Sequence, residues 1–575
     1  MKYLFLVSSI LLSRLIACDG LTTLGSSGSD SAKAVLNTSA RDVSITSENS
    51  YSDLFLDSVA LENFISKQNL NDSIARGLRN FYNVRNYQFA WFNSEGLTEQ
   101  GRGFWSLYDY LNDHGDSLKE NRSLAVRMDT LAEADTLTIS ITDSSFVETE
   151  LSLTKEFINY ITLYNTERGF SNPYYLVPAK KADVLTLADS ILNNQKDSIN
   201  KSPDSTDQQI DSLSAHSNKP YNLLKDQLRM YYSIAQKGGW QPIPGITRKI
   251  NKGTSSPAIA AIKKRLSLTG ELKGTDTSQV YSDSLQAAII SYKIHNGFDS
   301  TGTITDSLIN NMNIPVTQRI EQILINMNRM MWVPNISTQQ VIEVNIPEYL
   351  LKVYEGNSKA FDIKVVVGKE GANTTMFSGD LNQVVFSPYW NIPASIVEEE
   401  ILPAMQKDQN YLQKNHMEIV KKGDSLPVIR QVPGPDNPLG KVKFLFPNSY
   451  DIFFHDTPAK GLFQKNKRTY SHGCIRLEDA KKFAFYLLKD DASWTAEKIE
   501  QAMDSGKEQF VALKKTIPVM ITYFTAWADE NGRINFREDI YNHDYKAKQR
   551  LFSTASVTRP IITDSTATDT TRQKI

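Results

Sequence analysis

The spacing of apolar residues changes along this chain, and this change constrains the fold more than any other feature of the sequence. Up to residue 331, apolar residues recur at the intervals that are typical of helices. From residue 341 they form short β-branched or aromatic runs between turn residues, such as 341–346, 349–355 and 361–368. A chain of 575 residues is also too long for one hydrophobic core. We therefore expect a multidomain α+β protein in which a helical part precedes a mainly β part.

The first eighteen residues have the layout of an export signal, with Lys2 before an apolar run and small residues before Cys18. The run is too short to span a bilayer permanently. Residues 15–18, LIAC, resemble the lipobox of bacterial lipoproteins, which implies that Cys18 is lipidated and acts as a membrane anchor. An ordinary secretory signal that is cut nearby is the alternative. Both interpretations predict an exported protein of the periplasm or cell envelope.

Shifts in composition divide the remaining chain into several parts. The predicted parts are a flexible linker at 19–52, a helical scaffold domain at 53–245 with a polar insertion at 189–220, a small module at 246–314, a linker helix at 315–337, a mainly β domain at 338–552 and a disordered tail at 553–575. Within the β domain, residues near 394–440 predict a helical insertion. This insertion either covers the neighbouring strands as a lid or packs as an accessory subdomain.

The small module at 246–314 has apolar residues on one helical face between 259 and 266 and on another between 285 and 292. With Tyr292 preceding the turn GFDSTGTIT, this spacing resembles the three-helix peptidoglycan-binding module of bacterial wall enzymes. The resemblance implies a wall-binding role. A spacer bundle without a ligand is the alternative, because apolar residues at helical spacing indicate a packed core and do not by themselves indicate a binding groove.

Charge and cysteine content limit the classes of partner and chemistry. The formal net charge is only −2 and no dense run of Lys and Arg occurs, so nucleic acid is not an expected partner. The chain has 2 cysteines, Cys18 and Cys474, so Cys474 lacks a plausible internal disulfide partner. A lone thiol in an oxidising compartment favours a chemical use of Cys474 over simple packing.

Cys474 lies in the stretch SHGCIRL at 471–477, and His455 ends a strand-like run nineteen positions earlier. Cysteine attacks as the thiolate, and an imidazole on an adjacent strand would supply the base. The base is usually oriented by a third group, which here is either Asp456 or a backbone carbonyl. Gly473 has no side chain, so a substrate carbonyl can approach the backbone there and use its N–H groups as oxyanion donors.

Two other residues of this stretch have alternative interpretations. His472 would act as a rival base, or as a gate to the thiol, if the segment is extended. Arg476 is suited either to anchoring a carboxylate or to a salt bridge that fixes the turn. A separate hypothesis makes Cys474, His455 and His472 zinc ligands, but these scattered residues lack the dense spacing of metal sites. We therefore predict a site that uses no metal or other cofactor.

The run FFHDTP followed by TYSHGCIRL resembles the active-site signature of the YkuD family of L,D-transpeptidase catalytic domains. The resemblance implies a β-sandwich catalytic domain in which Cys474 is the nucleophile and His455 is the base. The implied oxyanion donors are the backbone amides of His472, Gly473 and Cys474.

The order of export signal, helical region, small module and β-rich domain also resembles that of the large periplasmic murein L,D-transpeptidases. This resemblance implies substrate contacts at Tyr389 and Trp390, within the stretch SPYWNIPASI, and we add Ser471 and Arg476 as candidate contacts. For Tyr389 and Trp390, packing in a core is the alternative.

The implied reaction joins two peptidoglycan stem peptides by a 3→3 cross-link, through a thioester on Cys474. Carbapenems are expected to acylate the same residue. Water as the acceptor would make the enzyme an L,D-carboxypeptidase, and a D-amino acid would make it an exchange enzyme. A peptidoglycan-binding scaffold without catalysis is the alternative from a different class, although no residue of the signature is missing.

Overall fold

The computed structural model describes residues 38–114, 121–133, 139–140, 143–168, 176–193, 219–274, 276–335, 340–356, 358–422 and 426–553. The predicted export signal with Cys18, most of the polar insertion and the predicted tail after residue 553 lie outside the described residues. Among the residues described, no helix is both long and apolar enough to cross a membrane. The predicted α+β class is confirmed, with a helical N-terminal region and a β-rich C-terminal domain.

The helices of the N-terminal region begin where side chains cap their free N–H groups. Asp57 accepts a hydrogen bond from the Val59 amide, and Asn71 accepts one from the Ile74 amide. These helices enclose an apolar cluster that includes Trp91, Phe104 and Phe157. The helices are α1 Ser58–Lys67, α2 Asp72–Asn83, α3 Glu99–His114, α4 Arg122–Glu133, α5 Ser144–Arg168, α6 Val184–Asn193 and α7 Lys219–Gln236, with a hairpin of β1 Phe92–Asn93 and β2 Gly96–Leu97 between α2 and α3.

Three helices follow in the region of the predicted module: α8 Pro257–Leu268, α9 Asp283–His295 and α10 Asp306–Met312. Ser282 and Thr305 cap the second and third of them. The module has an apolar cluster of its own, which includes Ile262, Ile289 and Leu308.

The segment predicted as a linker helix forms α11, Val316–Met330, and this helix is buried along most of its length. Arg329 pairs with the carboxylates of Glu99 in α3 and Asp544 in α17, His543–Leu551. One buried cation therefore joins three parts of the chain, and α11 is a packed element of the core instead of a free connector.

Among the described residues of the β-rich domain, nine strands pair in one sheet, in the order β12–β5–β13–β11–β10–β6–β14–β3–β4. The eleven residues of β5 pair with three strands, because the first part of β5 pairs with β4, the next part with β13 and the end with β12. The sheet thus closes on itself around an apolar cluster that includes Val365, Val384 and Phe454. Its strands run continuously around this core instead of falling into two separately paired sheets.

The elements of this domain are as follows. The nine strands are β3 Gln340–Asn345, β4 Leu350–Glu355, β5 Ser358–Gly368, β6 Phe377–Phe386, β10 Val442–Leu445, β11 Phe454–His455, β12 Thr469–Ser471, β13 Ile475–Leu477 and β14 Gln509–Thr522. Two helices, α15 Ala480–Leu488 and α16 Ala496–Asp504, precede β14, and a small hairpin of β15 Ala526–Ala528 and β16 Ile534–Phe536 follows it.

The chain leaves the sheet after β6 and returns at β10, and the residues between them form the predicted insertion. The insertion contains β7 Trp390–Asn391, β8 Met417–Lys421 and β9 Val428–Gln431, together with α12 Ala394–Ile396, a π-helical turn Val397–Ile401, α13 Leu402–Lys407 and α14 Tyr411–Lys414. The three strands pair in the order β7–β9–β8. The helices predicted for this insertion lie between residues 394 and 414, and the structure adds strands to them, whose apolar residues complete a small core around Ile396 and Ile401.

Candidate active site

The pairing of β11 with β13 brings His455 and Cys474 to one face of the sheet. The two strands are parallel, with His455 opposite Arg476 and Phe454 opposite Ile475. Cys474 precedes Arg476 by two residues, and side chains two apart on an extended chain point to the same face. Phe454 and Ile475 point to the opposite face and lie in the core. The pairing agrees with the predicted placement of His455 and Cys474 on adjacent strands.

The thiol of Cys474 is partly exposed, and its surroundings keep it protonated. Sγ donates a hydrogen bond of 3.5 Å to the backbone oxygen of Asp451. Burial raises the pKa of the Cys474 thiol to about 11, although a hydrogen bond with the Phe453 backbone and the charges of Arg476 and Lys443 lower it in part.

The imidazole of His455 is buried and has a defined orientation. Its Nδ1 lies 2.5 Å from the backbone oxygen of Asp456. A carbonyl only accepts hydrogen bonds, so Nδ1 carries the proton and Nε2 is left as an acceptor. This agrees with the predicted backbone carbonyl as the orienting group. The Asp456 carboxylate instead accepts hydrogen bonds from the Lys441 amide, at 3.0 Å, and from Lys460 Nζ, at 2.7 Å.

The pKa of His455 is lowered to about 3, first by burial and then by the nearby Arg476 guanidinium, against the opposing effect of Asp456. At neutral pH the site therefore holds a neutral thiol beside a neutral imidazole. With both groups neutral, Cys474 would act as a nucleophile only if its proton were transferred during an attack, without a preformed ion pair.

We expect the rate of acylation of Cys474 to stay nearly level between about pH 5 and pH 8 and to fall below about pH 4. The imidazole pKa is lowered to about 3, so the base is neutral above that value and is lost as the pH falls through it. The check is the initial rate of carbapenem acylation, followed by intact-protein mass at each pH. A fall with a midpoint near pH 6.5 would show an ordinary histidine and contradict this environment.

The loop before Cys474 is shaped from within by Ser471. Gly473 has φ +113°, a backbone conformation that other residues rarely adopt, so glycine is needed there. Ser471 is 2% exposed. Its hydroxyl donates to the Cys474 oxygen at 2.5 Å and accepts from the Gly473 amide at 3.3 Å. In this conformation the predicted contact between Ser471 and substrate is not available, because the hydroxyl is buried inside the loop.

The imidazole of His472 contacts Lys369 and Glu400. Its Nε2 lies 3.1 Å from Lys369 Nζ and 3.4 Å from the Glu400 carboxylate in the insertion. These contacts give no support to His472 as a rival base in this conformation. Within the part of the chain that the structure describes, no three His, Cys, Asp or Glu side chains are grouped to hold a metal ion, so the ligands of the zinc hypothesis do not converge.

Thr374 holds the cysteine loop in place, although no sequence motif marks it as a functional residue. It is 1% exposed, and its hydroxyl accepts from the Gly368 amide at 2.9 Å and donates to the Gly473 oxygen at 2.7 Å. The Tyr541 hydroxyl donates to the Gly368 oxygen at 2.6 Å. Gly368 allows this close approach, because a Cβ there would overlap the Ala372 oxygen.

The substitution Thr374→Val is expected to lower the free energy of unfolding by roughly 1–3 kcal/mol, because it leaves the Gly473 oxygen and the Gly368 amide without their partner. Carbapenem acylation should also slow by about tenfold, since Gly473 would no longer be held. Urea unfolding measures the first effect and intact-protein mass the second. Unchanged acylation in a destabilised variant would show that the brace serves stability alone.

Tyr389 and Trp390 lie at the base of the insertion, and both are half-buried. The Tyr389 amide donates to Glu508 Oε1 at 3.0 Å, and the Arg430 guanidinium lies 4.0 Å from the centre of the Tyr389 ring. Trp390 packs against the small core of the insertion. The packing alternative therefore describes Trp390, whereas Tyr389 lies beside Glu508, the residue before β14, and Arg430 of β9.

Arg476 is half-buried on the face that carries Cys474. Its Nε is buried and has no hydrogen-bond partner among the described residues. Within the same residues no carboxylate forms an ion pair with its guanidinium, so the structure does not provide the salt bridge that would fix the turn. This leaves the guanidinium available to an anion from outside the chain.

Sequence comparisons agree with these features. Residues 339–503 match the family described as the L,D-transpeptidase catalytic domain, YkuD, and residues 76–228 match a family described as a scaffold domain. A curated Haemophilus influenzae protein named "Putative L,D-transpeptidase" is 32% identical over 240 residues, which are 39% of this chain and 48% of that protein. This chain thus spans about half the length of that relative.

Solved structures of L,D-transpeptidases also align with parts of the chain. One from Stackebrandtia nassauensis is 12% identical and covers 48% of this chain and 96% of its own, with a TM-score of 0.21. One from Mycobacterium smegmatis is 11% identical and covers 32% of this chain and 58% of its own, with a TM-score of 0.18. The family match coincides with the strands that carry His455 and Cys474. Residues 339–503, which include His455 and Cys474, thus match the YkuD family of L,D-transpeptidase catalytic domains, and the match to a scaffold domain precedes them along the sequence.

Proposed function

We propose that this protein is a peptidoglycan L,D-transpeptidase that forms 3→3 cross-links between stem peptides through a thioester on Cys474. The observation that carries the proposal is the shared face of Cys474 and His455, with Nδ1 of the imidazole bound to a backbone oxygen and Nε2 left as an acceptor. Such a pair has the parts of a cysteine acyltransferase, namely a nucleophile, a neutral base and a group that orients the base.

In the first half-reaction, His455 Nε2 takes the proton of Cys474 as Sγ attacks the carbonyl of the L-centre in a tetrapeptide stem. The oxyanion that forms accepts hydrogen bonds from the amides of His472 and Cys474, since the Gly473 amide donates to the Ser471 hydroxyl, and such donors commonly contribute a few kcal/mol. When this intermediate collapses, the carbon–nitrogen bond breaks and Nε2 gives its proton to the departing amine of D-alanine. The stem remains on the sulfur as a thioester.

In the second half-reaction, the side-chain amine of another stem attacks the thioester, and His455 takes the proton of that amine. The carbon–sulfur bond breaks and the thiol recovers its proton from the imidazole. The product is a 3→3 cross-link. Water in place of the amine gives a carboxypeptidase, and a D-amino acid gives an exchange enzyme, at the same residues.

The proposed partners and location follow from this substrate. Peptidoglycan lies outside the cytoplasm, so the enzyme is exported and works in the cell envelope, as the N-terminal sequence predicts. The module at 246–314 would bind the wall and hold the catalytic domain near its substrate. Lipidation of Cys18 would add a membrane anchor.

The test is incubation of the purified protein with disaccharide tetrapeptides, followed by mass spectrometry of the products. We expect a cross-linked dimer that has lost one D-alanine. If the products are disaccharide tripeptides and no dimer forms, the proposed activity changes from transpeptidase to carboxypeptidase. Tetrapeptides that remain unchanged would contradict both activities and favour a binding scaffold.

A further inference from the structure

A row of side chains crosses the sheet on the face that carries Cys474. Residues that pair directly on neighbouring strands share a face, and the register aligns Arg476, His455, Lys443, Val385 and Phe510 across β13, β11, β10, β6 and β14. Arg476 and Lys443 therefore flank the His455 imidazole, one on each side. The sequence motif points to Arg476 and His455, but nothing in it points to Lys443.

The ammonium group of Lys443 has only a loose carboxylate partner among the described residues. The side chain is 12% exposed, and Nζ lies 3.9 Å from Glu508 Oε1. Nζ also lies 5.9 Å from the centre of the Phe453 ring, and the Phe453 backbone oxygen accepts a hydrogen bond from the amide of Ile475, the residue after Cys474. One carboxylate at 3.9 Å is a loose partner for a group with three N–H donors. Donors of Lys443 therefore remain for an anion from outside the chain.

The transfer of a proton from His455 Nε2 to the departing nitrogen fixes the direction in which the departing D-alanine extends. The acyl part of the donor stays on Cys474, whereas the departing nitrogen receives its proton from His455 Nε2 and must lie beside the imidazole. The rest of that D-alanine then extends past the imidazole, away from the strand of Cys474 and Arg476. Its carboxylate carbon is only two bonds from the nitrogen, and Lys443 is the cation on that side.

We propose that Lys443 binds the terminal carboxylate of the donor peptide and so selects stems that end in a free D-alanine. This inference rests on the proposed function and adds a specificity-determining residue to it. Glu508 is a positioning residue, because the same carboxylate oxygen lies near Lys443 and accepts from the Tyr389 amide. Burial lowers the pKa of Lys443 against the effect of Glu508, so a bound carboxylate would stabilise its charged form.

The test measures binding in the Cys474→Ala protein, in which no turnover occurs, by calorimetry with two probes. One probe is the tetrapeptide stem with a free terminal carboxylate, and the other is the same peptide with a terminal carboxamide. We expect the free acid to bind roughly tenfold to a hundredfold more tightly, as for a charge-assisted contact. Adding Lys443→Gln should reduce this preference to about twofold or less, and Lys443→Arg should preserve most of it.

Lys441→Gln is the matched control, since Lys441 is a nearby lysine whose side chain is exposed and pairs with Asp504. It should leave the preference for the free acid unchanged. A preference for the free acid that survives Lys443→Gln would overturn the inference. Equal binding of the two probes to the Cys474→Ala protein would also overturn it. If wild-type protein still consumes tetrapeptides, only the assignment of Lys443 fails. If neither probe binds and no tetrapeptide is consumed, the proposed function fails with it.

Discussion

Replacing Cys474 with alanine is expected to abolish the consumption of tetrapeptide stems, with a loss of roughly 10⁴-fold or more. Without the sulfur no thioester can form, and the backbone donors and the imidazole have no nucleophile to serve. The fold should remain, because Cys474 is partly exposed and the core residues around β13 are Ile475 and Leu477. Product analysis by mass spectrometry measures the loss, and thermal unfolding checks the fold.

The matched control is Cys18→Ala, because Cys18 is the other cysteine of the chain. This variant should consume stems at the wild-type rate. Consumption that persists in Cys474→Ala, in a preparation free of other enzymes, would show that the nucleophile lies elsewhere.

His455→Ala should slow the acylation of Cys474 by roughly 10²–10⁴-fold, the range for a lost general base. The thiol pKa is raised to about 11, so at neutral pH very little thiolate exists unless a base removes the proton. The rate of carbapenem acylation, followed by intact-protein mass, measures this effect directly. Raising the pH toward 10 should recover part of the rate in this variant, because hydroxide then replaces the base.

The control for this experiment is His472→Ala, which removes the other imidazole of the motif and keeps its backbone amide. We expect a loss below about tenfold, because Nε2 of the His472 ring is occupied by its contacts with Lys369 and Glu400. A larger loss in His472→Ala than in His455→Ala would exchange the roles of the two histidines.

Much of the β-rich domain could be predicted from sequence, because several strands are compact runs of β-branched and aromatic residues. The runs at 341–346, 349–355 and 361–368 coincide closely with β3, β4 and β5. The long strand β6, Phe377–Phe386, was not predicted, because Gly379, Asp380 and Asn382 are poor strand formers. Pairing with β10 and β14 on either side compensates for this low propensity.

In the candidate site too, the sequence indicates some of the residues, and only the fold brings in the others. His455 and Cys474 share one short motif, so residue types and spacing were enough to identify them. Lys443, Thr374 and Glu508 come from separate parts of the chain, and only the register of the sheet and the turn after β5 bring them to the site. Their residue types are common on surfaces and in turns, so no local pattern distinguishes them.

The central claim is that Cys474 is the residue that is acylated, with His455 as its base. Treatment of the intact protein with a carbapenem, followed by mass measurement and peptide mapping, tests this claim most directly. We predict one covalent adduct per chain on the peptide that contains Cys474, formed much more slowly in His455→Ala and absent in Cys474→Ala. An adduct on any other residue, or the same adduct rate without His455, would contradict the account.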